Sequence, residues 1–271
     1  MASSEPRAGL FSALLKHWRS QRAMSQLDLA LAANVSSRHV SFLETGRSLP
    51  SLEMVVRLAE ALDVPLRHVN AMLEAAGYSP RYPEPHPGAS LPPEVARAVQ
   101  LMKDHHEPFP LLVIDRRYDL LDLNRGAATI LRAAMPTLDP GRGRLNLIHL
   151  TFAPEGACKA IVNFDEVGRT LLWRLHREVL ADPGDRELRE RLDEALSMPT
   201  IAEDWRAPDL TASASPALVI HLRAGDRELR FLTTITAFQA PHTLQLDDLR
   251  IETWYPIDDA TTATCRSFAV P

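Results

Sequence analysis

Between Leu10 and Ala76, apolar residues recur at helical spacing in short stretches separated by small polar breaks. Leu10, Leu14 and Trp18 give a first helix one apolar stripe. Ser25 is placed to cap a second, with Leu29, Ala30 and Ala33 inside. Asn34 follows, a residue that tolerates the left-handed backbone of a tight turn. Ser36 caps a third helix that turns Val40 and Leu43 inward and stops at Gly46. Ser51 caps a fourth, with Leu52, Val55, Leu58, Ala59 and Leu62 at helical spacing, and Pro65 opens a fifth that runs to Ala76–Gly77. The pattern predicts a compact all-α domain of five helices over residues 1–78.

The next stretch, 79–92, holds five prolines in fourteen residues, a composition that suits an extended linker. Beyond it the periodicity changes. Residues 93–104 read as a helix, and "FPLLVIDRRYDLLDLN" as a hairpin. Asn124 is expected to cap a helix over 125–135, and Asn163 a long amphipathic helix with Val167, Leu171, Leu175 and Val179 on one side. A second helix, about Arg186–Leu196, follows Pro183–Gly184. "PALVIHLRAGDRELRFLTTITAF" reads as strand, Gly-Asp turn and strand, and "LRIETWYPI" as a further strand. Strands with an inserted helix pair predict an α+β, sensor-like domain over 93–271.

Composition adds one decisive asymmetry. The chain of 271 residues carries a net charge of −5, yet residues 1–82 hold nine Lys/Arg against seven Asp/Glu, a local balance of +2. Any polyanion partner therefore belongs to the first third. Hydrophobic content of 45% and charged content of 24% suit a soluble globular protein. No run resembles a signal peptide or a membrane span, so a cytoplasmic protein with reduced thiols at Cys158 and Cys265 is expected. The sequence contains no nucleophile elbow, H-E-x-x-H, P-loop or dinucleotide fingerprint, so enzyme activity and a cofactor are not expected. "PGRGRLN" is read as a loop, and His105-His106 beside Asp104 and Glu107 as a charged helix end rather than a metal site.

Two short helices joined by a tight turn have a specific use. The major groove of B-DNA admits one helix, and a second packed across it fixes its tilt. Once Val40 and Leu43 turn inward, the third helix presents Ser37, Arg38, Ser41 and Phe42, with Ser36 at its cap. Arg38 suits guanine or phosphate, and Phe42 a thymine methyl. Ser25 and Gln26, at the start of the second helix, and Arg47 with Ser48 after the third are candidate phosphate contacts. Residues 10–76 resemble the lambda-repressor-like helix-turn-helix of the XRE family, matching at Ser25-Gln26, Leu29-Ala30, Val35-Ser36, Leu43-Glu44, Gly46 and Pro50-Ser51. The resemblance implies a structural salt bridge between Arg19 and Glu44. A single recognition helix reads few base pairs, so a homodimer on a palindromic operator is expected.

Residues 93–268 resemble the MmyB-like ligand-binding domain, through "PLLVIDRRYDLLDLNRGAATIL", "LNLIHLTFAP" and the helix pair followed by Trp205. Phe164 stands where the family often has Trp. The resemblance implies a PAS-like fold and a small apolar ligand of the fatty-acyl class. Candidate lining residues are Phe109, Leu111, Phe152, Phe164, Trp173, Trp205, Phe231 and Trp254, with His176, Asn124 and Arg174 offered to a polar head group. The expected function is a ligand-modulated, sequence-specific transcription regulator. The alternative is a constitutive or antitoxin-like DNA-binding protein whose second domain serves oligomerisation or protein binding.

Overall fold

The computed structural model describes residues 5–83, 90–136, 145–182, 184–207, 218–238 and 243–268. The chain divides into two compact units, 1–89 with 239–247, and 90–238 with 248–271.

The first unit opens with α1 (Glu5–Gln21), α2 (Gln26–Ala32), α3 (Ser37–Glu44), α4 (Leu52–Ala61) and α5 (Leu66–Ala75). Local chemistry sets each boundary. Ser25 and Asp28 form a reciprocal capping box at α2. Asn34 takes φ 52° in the turn between α2 and α3. The Ser36 and Ser51 hydroxyls accept from His39 N and Met54 N, and Gly46 takes φ 69° where α3 ends. Core residues Phe11, Leu15, Leu29, Ala30, Val40, Leu43, Val55, Leu58, Leu62, Met72 and Leu73 form one cluster. Two expected core positions differ. Leu10 is 55% exposed and Leu52 is also exposed. The buried stripe of α1 is centred on Phe11 and Leu15, one position along, because that face points at α3 and α5. Residues just after α5 are anchored: Asn70 Oδ1 accepts from Arg81 N and Tyr82 N at 2.9 and 3.0 Å. The proline-rich stretch thus begins pinned to the helices rather than free; its residues 84–89 lie outside the described residues.

A buried ion pair joins the helices. Arg19 Nε donates to Glu44 Oε1 at 2.6 Å and Nη2 to Oε2 at 3.1 Å. Gln26 Nε2 adds a bond to Oε2 at 2.7 Å. The side chain of Glu44 is only 4% exposed. Burial opposes its charge, but hydrogen bonds from Arg19 and Gln26 and the nearby cations outweigh it, and its pKa lies below the usual 4.5. Ser12 Oγ donates to Leu43 O at 2.6 Å beside it.

In the second unit, α6 (Pro93–His106) precedes a five-stranded antiparallel sheet of order β2-β1-β5-β4-β3, from β1 (Leu111–Ile114), β2 (Leu120–Leu123), β3 (Val219–Ala224), β4 (Arg227–Ala237) and β5 (Arg250–Pro256). The β1–β2 turn uses Tyr118 at φ 66°, and the β3–β4 turn Gly225 at φ 64°. Helices α7 (Arg125–Ala134), α8 (Leu147–Phe152), α9 (Phe164–Ala181), α10 (Arg186–Leu196) and α12 (Asp259–Phe268) belong to this unit, with a 3-10 turn at Ala157–Lys159, whereas α11 (Leu244–Asp248) falls, but for its last residue, in the first. The sequence reading does not anticipate α8, α11 and α12, which are short or polar. Asn124 caps α7 as expected. Asn163 does not cap α9; its amide instead accepts from His221 N and donates to Val219 O, tying the start of the helix to β3. Arg116 Nη2 reaches Asp182 and Asp185 at 2.9 Å each, clamping the β1–β2 turn to the α9–α10 connection.

Arg19→Ala removes the partner of a buried carboxylate and is expected to destabilise the helical unit by about 3 kcal/mol. Thermal unfolding of the full chain should show its first transition fall, and no movement would refute the pairing. Because Glu44 is held below its ordinary pKa when folded, it contributes stability above pH 4.5 that disappears as pH falls through the folded pKa. Arg19→Ala should flatten that acid limb.

Candidate nucleic-acid interface and ligand cavity

The outer edge of α3 carries the residues expected to face DNA. Ser37 and Arg38 are exposed, and Ser41 and Phe42 half-buried. Two guanidinium groups approach the Phe42 ring, Arg38 Cζ at 5.1 Å and Arg47 Cζ at 5.8 Å from its centroid. The ring therefore orders two cations on one surface. Ser25 and Ser36 spend their oxygen lone pairs on helix caps and keep their hydroxyl protons for an acceptor such as phosphate. Gln26 donates to Glu44, so at least part of its amide serves the fold. Ser48 Oγ is buried with no hydrogen-bond partner among the described residues, which removes it from the phosphate contacts.

In the second unit a cavity opens between the inner sheet face and α7–α9, with about 820 Å³ of non-atom space that includes the solvent at its mouth. Leu112, Ile220, Leu222, Thr233, Glu252 and Trp254 supply the sheet wall; Val167, Thr170, Leu171 and Arg174 supply the α9 wall. The α9 residues follow i, i+3, i+4, i+7 spacing, one stripe of the helix.

Of the eleven ligand residues expected from sequence, Trp254 and Arg174 line this cavity. Leu111 pairs with Thr253 while its neighbour Leu112 pairs with Glu252, so the pleat sends Leu111 to the opposite sheet face. Asn124 spends its amide on backbone: Oδ1 accepts from Leu111 N and Ala127 N, and Nδ2 donates to Phe109 O. Phe109 edges against His106 at 6.0 Å. Phe231 is fully buried against Trp254, at 5.5 Å between ring centres. Trp173 and His176 leave α9 on another azimuth and meet Trp205 edge-on, at 5.9 and 5.6 Å. Phe152, Phe164 and Trp205 border a separate depression. The aromatic residues thus form core and a side cluster, because large rings pack best where no void remains.

Arg174, offered for a head group, does line the cavity. Its Nε donates to Tyr118 Oη at 3.0 Å, and Tyr118 Oη donates to Glu178 Oε2 at 2.8 Å. Burial works against its charge, yet Tyr118, Glu252 and Glu178 outweigh it and raise its pKa. Burial likewise raises the pKa of Tyr118, which stays a phenol. Glu252 was not anticipated. The signal was present: Glu252 sits two residues from Trp254 in a strand, hence on the same face.

Residues 95–267 match the family described as the MmyB-like transcription regulator ligand binding domain, and residues 15–69 match a helix-turn-helix family. The chain belongs to the MmyB-like transcription regulators. It joins a DNA-binding module to a ligand-binding one. Among solved structures, it is similar to the clp gene regulator ClgR from C. glutamicum, at 28% identity and TM-score 0.23 over 26% of this chain and 88% of that one. It also matches an RNA-binding Light-Oxygen-Voltage receptor, at 10% identity and TM-score 0.26 over 99% of this chain and 67% of that one. No curated protein matches it.

In this MmyB-like regulator, His105 Nδ1 lies 2.7 Å from Leu101 O and His106 Nε2 lies 3.0 Å from Trp254 O. Among the described residues no group of three or more His, Cys, Asp or Glu side chains could hold a metal. The glycine-arginine stretch 141–144 lies outside the described residues. No described helix is long and apolar enough to cross a membrane.

Arg38→Ala is expected to weaken binding to the preferred duplex by about 1–3 kcal/mol with unchanged thermal stability, whereas Arg47→Ala should weaken all duplexes alike and reduce the salt slope by about 1. Fluorescence anisotropy over a salt series measures both. Unchanged affinities would remove these residues from the interface.

Proposed function

We propose that this MmyB-like regulator binds a palindromic operator as a homodimer, α3 of each protomer entering the major groove. In this reading residues 1–78 form the DNA-binding domain, 79–92 the linker and 93–271 a PAS-like sensor, and the protein acts in the cytoplasm. Ser36, Ser37, Arg38, Ser41 and Phe42 face the bases or their phosphates; Ser25, Gln26 and Arg47 position the backbone. The pair of guanidinium groups ordered on Phe42 supports it: two cations and an apolar ring on one exposed helix edge match phosphates flanking a thymine methyl.

The sensor domain takes a small, fatty-acyl-like ligand in the cavity and thereby alters DNA affinity. The single observation that carries this is the cavity itself, mostly aliphatic, with a few polar groups such as Arg174 and Glu252 on facing elements. Such a ligand works only through differential affinity for the DNA-competent and incompetent states. No catalytic constellation is needed for this role.

Native mass spectrometry of the purified chain should show a bound lipid-sized molecule, and adding it back to extracted protein should shift operator affinity by about five-fold or more. A chain that carries no such molecule and whose DNA binding ignores acyl compounds would leave constitutive binding as the better account.

A further inference from the structure

Two opposed groups line the cavity, Arg174 from the α9 wall and Glu252 from the sheet wall, and together they restrict the ligand's head. Glu252 is 6% exposed and lines the cavity. One of its oxygens accepts from Trp254 Nε1 at 2.8 Å, and the other has no partner among the described residues. Arg174 uses Nε on Tyr118, and its two terminal amino groups make no hydrogen bond among the described residues. The two groups share the cavity without forming an ion pair, and the charge of Glu252 favours the charged form of Arg174. The cation is also close to Glu178 through Tyr118.

One guanidinium thus carries the influence of two carboxylates, Glu252 and Glu178. A ligand carboxylate placed on Arg174 would add a third negative charge near Glu252, a like-charge juxtaposition that opposes binding. A neutral head with an acceptor and a donor meets both groups and adds no charge. Leaving either buried group unsatisfied is the costly alternative.

Resting on the reading of this cavity as the ligand site, we propose that it is built for the carboxamide head of an acyl amide. The ligand carbonyl accepts from Arg174, its N–H donates to the free oxygen of Glu252, and its aliphatic tail lies along Leu131, Met135, Ile220 and Leu222.

The test compares matched probes on the full chain: displacement of 1-aminoanthracene by dodecanamide and by dodecanoate. Dodecanamide should bind about ten-fold tighter or more. Glu252→Gln keeps the shape and the Trp254 contact but removes the charge, and it should bring the two probes close to parity by strengthening dodecanoate. Dodecanoate binding as well as dodecanamide in the unmodified chain, or a preference untouched by Glu252→Gln, would overturn the head-group assignment alone, leaving the cavity as a ligand site. Failure of the reporter and of both probes to bind would overturn the cavity reading and the head group with it. The unmodified chain supplies the main readout, so a variant that folds poorly does not decide the outcome.

Discussion

A single carboxylate holds the third helix, α3, in place. Glu44 ends α3 and receives Arg19 from α1 and Gln26 from α2, so three helices converge on one nearly sealed charge. Such a pair adds little net stability over an apolar substitute, but removing one partner leaves the other buried and uncompensated. Its value is geometric: it fixes the azimuth of α3 and, with Ser12 on Leu43 O, its height above the core. That azimuth turns Val40 and Leu43 inward and leaves Arg38, Ser41 and Phe42 outward. The ordering of Arg38 and Arg47 on Phe42 follows from it.

The helical unit was legible because its signals are local. A serine cap, an asparagine in the left-handed region and a glycine terminator act within one turn, and Ser25, Asn34, Ser36 and Gly46 behave as their chemistry dictates. The Arg19–Glu44 pairing came from family resemblance, since nothing in local spacing brings residues so distant in sequence together. The stripe of α1 was placed one residue off because Leu10 and Phe11 are both apolar and only the packing partner decides between them.

The cavity was far less legible. Choosing ligand residues by aromatic bulk favoured side chains that fill space, whereas a cavity is lined by what fails to fill it. Leu112 rather than Leu111 faces inward through strand parity, and on α9 the helical azimuth brings in Arg174, which the sequence offers, and leaves Trp173 out. Asn163 was read as a cap because it precedes a helix, but His221 N and Val219 O from a distant strand compete for its amide and win. The charged turn at Arg116 shows the same limit: its acidic partners, Asp182 and Asp185, lie in another part of the chain. Each miss is a tertiary contact overriding a local preference.

Family membership joins a DNA-binding module to a ligand-binding one, and linkage makes any coupling between them reciprocal: a ligand that alters operator affinity has its own affinity altered equally by the operator. The central claim is that the outer edge of α3 is the DNA-contacting surface. Hydrogen–deuterium exchange of the whole chain, free and bound to duplex at low ionic strength, tests it most directly. The account predicts slowed exchange across Ser36–Arg47 and at the start of α2. Protection that spares this segment and falls elsewhere, or a chain that does not bind duplex at all, would contradict it.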